Sequence, residues 1–191
     1  MLTGGNTAKK LYHHWFVSQP WDHRKIRYYF GDERCVLPEH QESNFGMVRK
    51  TLFPEGIPDN SKVMRMEGEL SDRETAAKNY ERMLPNSLDI LLLSVGPDGH
   101  IASLFPYNHA LNEETRLVVP VEVTKTPLKR LTITSPVIRS AKSVFLFAIG
   151  EEKGRILAKV LDKPDDIASL PVCKVICSTW LLDSDAYSLL K

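Results

Sequence analysis

Two stretches of this chain are almost continuously apolar: residues 88–95 (LDILLLSV) and residues 143–149 (SVFLFAI). A strand with one face in water alternates apolar and polar residues. A run without alternation must be covered on both faces, as in a parallel sheet with helices on either side. Residues 26–30, 116–123, 130–134 and 172–177 are further strand candidates. Helical periodicity marks residues 8–16, 43–53, 71–84, 151–161 and 184–190. In the third of these, Ser71 and Glu74 form a capping-box pair, with Ala76, Ala77, Tyr80 and Leu84 on one face. Ser135-Pro136 reads as an N-cap with Pro at the first position, opening a helix to about Ala141. In residues 151–161, Ile156, Leu157, Val160 and Leu161 make the core face. Strand and helix patterns alternate, so the expected fold is α/β, a layered and mostly parallel sheet flanked by helices. At 191 residues the chain is expected to form a single domain over 1–191.

Charge and cysteine content narrow the function. Lys+Arg 25 against Asp+Glu 24 gives a net charge of +1, which argues against bulk electrostatic binding to nucleic acid. Three cysteines are too few, and odd in number, for a disulfide framework. No apolar run approaches the ~18 residues of a membrane span, and MLTGGNTAKK lacks the apolar core of a signal peptide. The expectation is a soluble protein of a reducing compartment, with neither nucleic acid nor membrane as partner. Cys173 and Cys177, four apart on a predicted strand, read as core thiols on one face, not as zinc ligands. Cys35 has no activating partner, and His13-His14 falls on a helix surface. The chain has no GxGxxG, Walker loop or GxSxG elbow.

In open α/β sheets, ligands collect at the carboxyl ends of strands. Three loops qualify. Thr3-Gly4-Gly5-Asn6-Thr7 precedes a helical pattern. Its glycines admit close approach, and the free N–H groups of a helix start favour an anion; a plain turn with an N-cap fits the same residues. Gly31-Asp32-Glu33-Arg34 crowds three charges at the end of an apolar strand. Arg34 is suited to hold a substrate oxygen or a developing oxyanion; a solvated turn with an internal ion pair is the alternative. Gly96-Pro97-Asp98-Gly99-His100 follows the most buried strand. There an imidazole oriented by Asp98 can take a proton from water and return it. The following Ile101-Ala102-Ser103-Leu104-Phe105-Pro106 gives a small apolar wall. Arg130 heads a strand, and Lys153 sits in a first helical turn, where a cation opposes the helix dipole and an anionic ligand would compensate it.

At these residues the sequence resembles the glucosamine-6-phosphate isomerase/6-phosphogluconolactonase family. The resemblance rests on TGGNT (3–7), DER (32–34), SN (43–44), GPDGHIASLFP (96–106), RLTIT (130–134), GEEK (150–153) and WLLD (180–183). It is closest to the lactonase branch and implies a Rossmann-like sheet of the sugar-phosphate isomerase type. It further implies a cytoplasmic enzyme that hydrolyses 6-phospho-D-glucono-1,5-lactone in the oxidative pentose phosphate pathway, without metal or organic cofactor. His100 is the implied general base and Arg34 the charge-stabilising group. Gly4, Gly5, Asn6, Thr7, Arg130 and Lys153 are the implied phosphate contacts, with Asp32 beside them in the DER motif. The chain departs from the pattern at Ala8, where Pro is common, and at Ser94, where Gly is common. It also lacks the strand and helix expected before the Gly-Gly loop; only Met1, Leu2 and Thr3 precede Gly4. On the same fold, an amino-sugar-phosphate deaminase-type isomerase needs further acid–base groups, and IASLFP supplies no carboxylate. A non-catalytic sugar-phosphate-binding protein is the third reading.

Overall fold

The computed structural model describes residues 1–190. Six helices, α1 (Asn6–Ser18), α2 (Asn44–Thr51), α3 (Arg73–Met83), α4 (Ser135–Ser140), α5 (Glu151–Asp162) and α6 (Ser184–Ser188), are interleaved with eight strands. The strands are β1 (Arg27–Tyr29), β2 (Asp32–Arg34), β3 (Lys62–Met64), β4 (Ile90–Ser94), β5 (Val118–Glu122), β6 (Lys129–Ile133), β7 (Ser143–Ala148) and β8 (Thr179–Leu182).

β1 pairs in parallel with β3, and β7 in parallel with β4 and β8. The first residues join these two groups. Leu2 bridges Phe30 in parallel, and its N–H donates to Tyr29 O. On the other side, Leu92 N–H donates to Met1 O. Met1–Thr3 therefore fill the centre of one parallel sheet ordered β3, β1, 1–3, β4, β7, β8. The chain winds outward from that centre in both directions, so the carboxyl ends of 1–3 and β4 flank a topological switch point.

The continuous apolar runs are buried on both faces. Leu91, Leu93 and Leu146 enter one core with Ala76, Ala77 and Tyr80 of α3 and Ile156, Leu157 and Val160 of α5. Leu92 and Phe147 enter the opposite core with Ala8 and Tyr12 of α1 and Val48 of α2. Alternate residues of one strand thus feed two helical layers, which is why the middle of each run is apolar without alternation and polar residues stand only toward its ends.

A second, antiparallel sheet is ordered β2-β6-β5. Only Phe30 and Gly31 separate β1 from β2, so the chain passes straight from one sheet to the other. The segment read as a charged loop at 32–34 is therefore a strand, with Asp32 opposite Thr132 and Arg34 opposite Arg130. Its polarity hid it, because its pairing is with residues about a hundred positions away.

Other expectations are corrected. Residues 171–175 form a 3-10 helix instead of a strand, opened by Pro171, and the last strand is β8. Cys173 is buried but Cys177 is exposed, so they are not two core thiols on one face. Asp72, not Ser71, caps α3, accepting from the N–H groups of Glu74 and Thr75. Thr134 is the N-cap of α4, with Pro136 inside its first turn. Leu161 faces outward at 50% exposure, because α5 buries only one narrow stripe.

Candidate active site

A cavity of about 740 Å³ opens where the two sheets meet at the carboxyl end of the central strands. Gly4, Gly5, Asn6, Thr7, Asp32, Arg34, His100, Arg130 and Lys153 all line it. Asp98 stands behind His100, hydrogen-bonded to it.

Gly5 caps α1 without a side-chain hydrogen bond, and the first intrahelical bond runs from Lys9 N–H to Gly5 O. The N–H groups of Asn6, Thr7 and Ala8 therefore have no helical acceptor, and no acidic side chain occupies the first turn. α5 also starts at a glycine without a side-chain cap, Gly150, but its first turn carries Glu151 and Glu152 beside Lys153, and Glu152 lines the cavity with the lysine. Two helix N-termini thus face one cavity, a favourable setting for an anion. The Gly4 loop is held from below. An atom added at Gly4 as a Cβ would stand 2.3 Å from Asn44 Oδ1, so only glycine lets that side chain pack beneath the loop. Asn44 in turn donates through Nδ2 to the Asp32 carbonyl at 2.9 Å and to its carboxylate at 3.0 Å.

His100 is fixed on three sides. Its Nδ1 lies 2.5 Å from Asp98 Oδ1. Its ring stacks on Phe105, with centroids 4.1 Å apart and planes 12° apart. It also lies over Gly96, where a Cβ would come within 2.1 Å of the imidazole. Burial raises the Asp98 carboxyl pKa, but the hydrogen bond and charge of His100 outweigh it and leave it below the usual value. An ionised Asp98 accepts Nδ1–H, which makes Nε2 the basic nitrogen.

Arg34 donates from Nη1 to Glu42 O at 2.6 Å and lies near the Glu42 carboxylate at 3.5 Å. Glu33, by contrast, is wholly structural. It accepts from Arg34 N, Asn44 N, Phe45 N and Ser43 Oγ, closing the start of α2. Arg130 is 2% exposed. It donates to the carbonyls of Pro127 and Lys125, with its Nη1 4.0 Å from Asp32. Its guanidinium lies over the Phe105 ring, 5.3 Å from the ring centroid. Burial lowers its pKa, against the pull of Asp32. Lys153 is half-buried, and desolvation lowers its pKa below the ordinary lysine value.

Reading the sequence missed several residues of this site. Ser103 was read as part of an apolar wall, yet its Oγ donates to Asp32 at 2.6 Å. Asn44 stood only within a matched dipeptide. Lys9, Lys10 and Lys125 line the cavity without any local signal in their neighbours. Among the described residues, no group of three or more His, Cys, Asp or Glu is placed to hold a metal. Among the same residues, no helix is long and apolar enough to cross a membrane.

An imidazole hydrogen-bonded to an aspartate and the starts of two helices thus border one cavity of an α/β fold, the arrangement of side chains and free N–H groups that suits a small anion. The chain belongs to the family described as glucosamine-6-phosphate isomerases/6-phosphogluconolactonase, whose profile matches residues 1–181. It is 38% identical over 175 residues to 6-phosphogluconolactonase of Rattus norvegicus, covering 84% of this chain and 66% of the relative. To 6-phosphogluconolactonase of Mycobacterium tuberculosis it is 33% identical over 204 residues, covering 97% and 82%. The chain thus spans about two thirds of the length of the rat relative. A solved structure of 6-phosphogluconolactonase from Trypanosoma brucei superimposes with a TM-score of 0.84 at 26% identity, covering 100% of this chain and 86% of the other.

Proposed function

We propose that this chain is a 6-phosphogluconolactonase, hydrolysing 6-phospho-D-glucono-1,5-lactone to 6-phospho-D-gluconate in the oxidative pentose phosphate pathway. The observation that carries the reading is the placement of His100 and the Gly4–Thr7 loop around one cavity. The lactone phosphate sits against the open starts of α1 and α5, with Lys153 beside it. The reacting carbonyl then lies toward His100 and Arg34. His100 Nε2 takes a proton from water as the water oxygen attacks C1. Arg34 stabilises the tetrahedral oxyanion, and the imidazolium returns its proton to the departing ring oxygen. General base catalysis of this kind supplies about 10²–10⁴-fold, and the phosphate grip supplies orientation. Asp98 holds the imidazole in the productive tautomer. Asp32 and Arg130 border the substrate from the antiparallel sheet. Residues 1–191 act as a single α/β unit, cytoplasmic, with a sugar-phosphate lactone as partner and neither nucleic acid nor membrane.

The test is a lactonase assay with spontaneous hydrolysis subtracted. His100→Ala lowers kcat by about 10²-fold or more while 6-phosphogluconate still binds. A variant with wild-type kcat removes His100 from the mechanism. Release of ammonia from glucosamine 6-phosphate moves the chain to the isomerase branch of its family.

A further inference from the structure

The end of β4 contributes a side chain that the mechanism above does not use. Ser94 is the last residue of that strand and lines the cavity. It pairs in register with Phe147 of the neighbouring β7. The chain leaves β7 through Ile149 and Gly150 into the first turn of α5, which carries Lys153. Two adjacent strand ends therefore deliver Ser94 and Lys153 to one spot, with Lys153 Nζ donating to Ser94 Oγ at 3.1 Å.

We propose that Ser94 is a phosphate-binding residue acting together with Lys153; this rests on the reading of Lys153 as a phosphate contact. The hydrogen inventory supports it. The hydroxyl accepts one ammonium proton and keeps its own proton, for which no protein acceptor is found among the described residues. The ammonium keeps two protons after its bond to Ser94. Ser94 and Lys153 together therefore present three donor protons to the cavity, and the uncapped N–H groups at the start of α5 add to them. A phosphate dianion is an acceptor with three terminal oxygens and matches that set. Ser94 also fixes the long lysine side chain before ligand arrives, so less rotamer freedom is lost on binding.

The experiment compares Ser94→Ala, Ser94→Gly and Ser94→Thr with the wild type on 6-phosphogluconolactone and on glucono-1,5-lactone without phosphate. A hydrogen bond to a charged group that forms equally in ground and transition states shows in KM. Ala and Gly raise KM for the phosphorylated lactone about ten-fold, the loss falling on KM more than kcat, and Thr restores it. The phosphate-free lactone does not register the change. Wild-type KM in Ser94→Ala overturns the proposal, as does an equal loss on both lactones. Lys153→Met is run alongside. If it raises KM while the Ser94 variants do not, only the role of Ser94 falls. If it leaves KM unchanged, the phosphate site itself is misplaced.

Discussion

Lys153 is placed where a helix least favours a cation. The first turn of α5 already has the positive end of the dipole, and burial of the ammonium adds a desolvation cost that lowers its pKa. For a base with a depressed folded-state pKa the sign is fixed. Folding disfavours the charged form, so the penalty is full below the folded-state pKa and fades as pH rises from there to the higher unfolded-state value. A bound phosphate reverses this by favouring the charged form. The affinity for 6-phosphogluconate should therefore fall as pH rises into the alkaline range, and begin to fall before an ordinary surface lysine would titrate. Lys153→Arg, charged throughout that range, should hold its affinity flat. Calorimetric titration from pH 7 upward checks this; identical profiles for the two proteins would mean that Lys153 does not touch the phosphate. The signal for this residue was local and could be read from sequence, because dipole and position are both visible there. Ser103 was not readable. Its neighbours Ala102 and Leu104 are apolar and buried, and its hydroxyl finds its partners only on distant strands, donating to Asp32 of β2 and accepting from Arg130 of β6.

Helix α2 exists because a carboxylate from another element closes its start. Eight residues are too few to be stable alone in water. Ser43 supplies one cap, accepting from Gly46 N. Glu33 supplies the rest from β2, accepting from Asn44 N at 2.7 Å and Phe45 N at 2.8 Å. Glu33→Gln replaces one acceptor oxygen with a donor facing donors. It should cost about 2–3 kcal/mol, read as a lower urea midpoint at unchanged m. Because Asn44 underlies Gly4, product affinity should fall with it. Unchanged stability would mean that Ser43 alone suffices. What could be read at this scale follows the range of the forces involved. β4 and β7 declare themselves as unbroken apolar runs and α5 by its helical periodicity, because burial acts on each element's own residues. β2 and β3 are three-residue strands held by distant partners, so no local pattern marks them. Residues 171–175 carry a strand-like composition, but Pro171 presets a helical φ and the segment coils into a 3-10 turn.

At the scale of the molecule, the site is a joint between two sheets, and Asp32 is its pin. One carboxylate oxygen takes Asn44 Nδ2, beneath the phosphate loop. The other takes Ser103 Oγ, three residues beyond His100. Ser103 N–H reaches across to Thr132 Oγ1 of β6 at 3.1 Å, and Ile133 N–H bonds Gly31 O where the chain changes sheets. The loop bearing the base is thus referenced to the antiparallel sheet through Ser103, in addition to its own strand end, where Gly96 N–H donates to His100 O. Ser103→Ala leaves Asp32 Oδ2 buried, with Arg130 Nη1 4.0 Å away as its remaining charge partner. The loss of the donor should cost about 1–3 kcal/mol. The informative outcome is how ligand and rate respond. 6-Phosphogluconate at a hundred times its Kd adds about 2.7 kcal/mol to the folded state by mass action, enough to offset that loss in a thermal melt. With the folded fraction restored, any remaining loss of rate reports where His100 sits, so kcat should stay reduced at saturating lactone. A Ser103→Ala enzyme whose kcat is normal once stability is restored would show that the two sheets place the base independently.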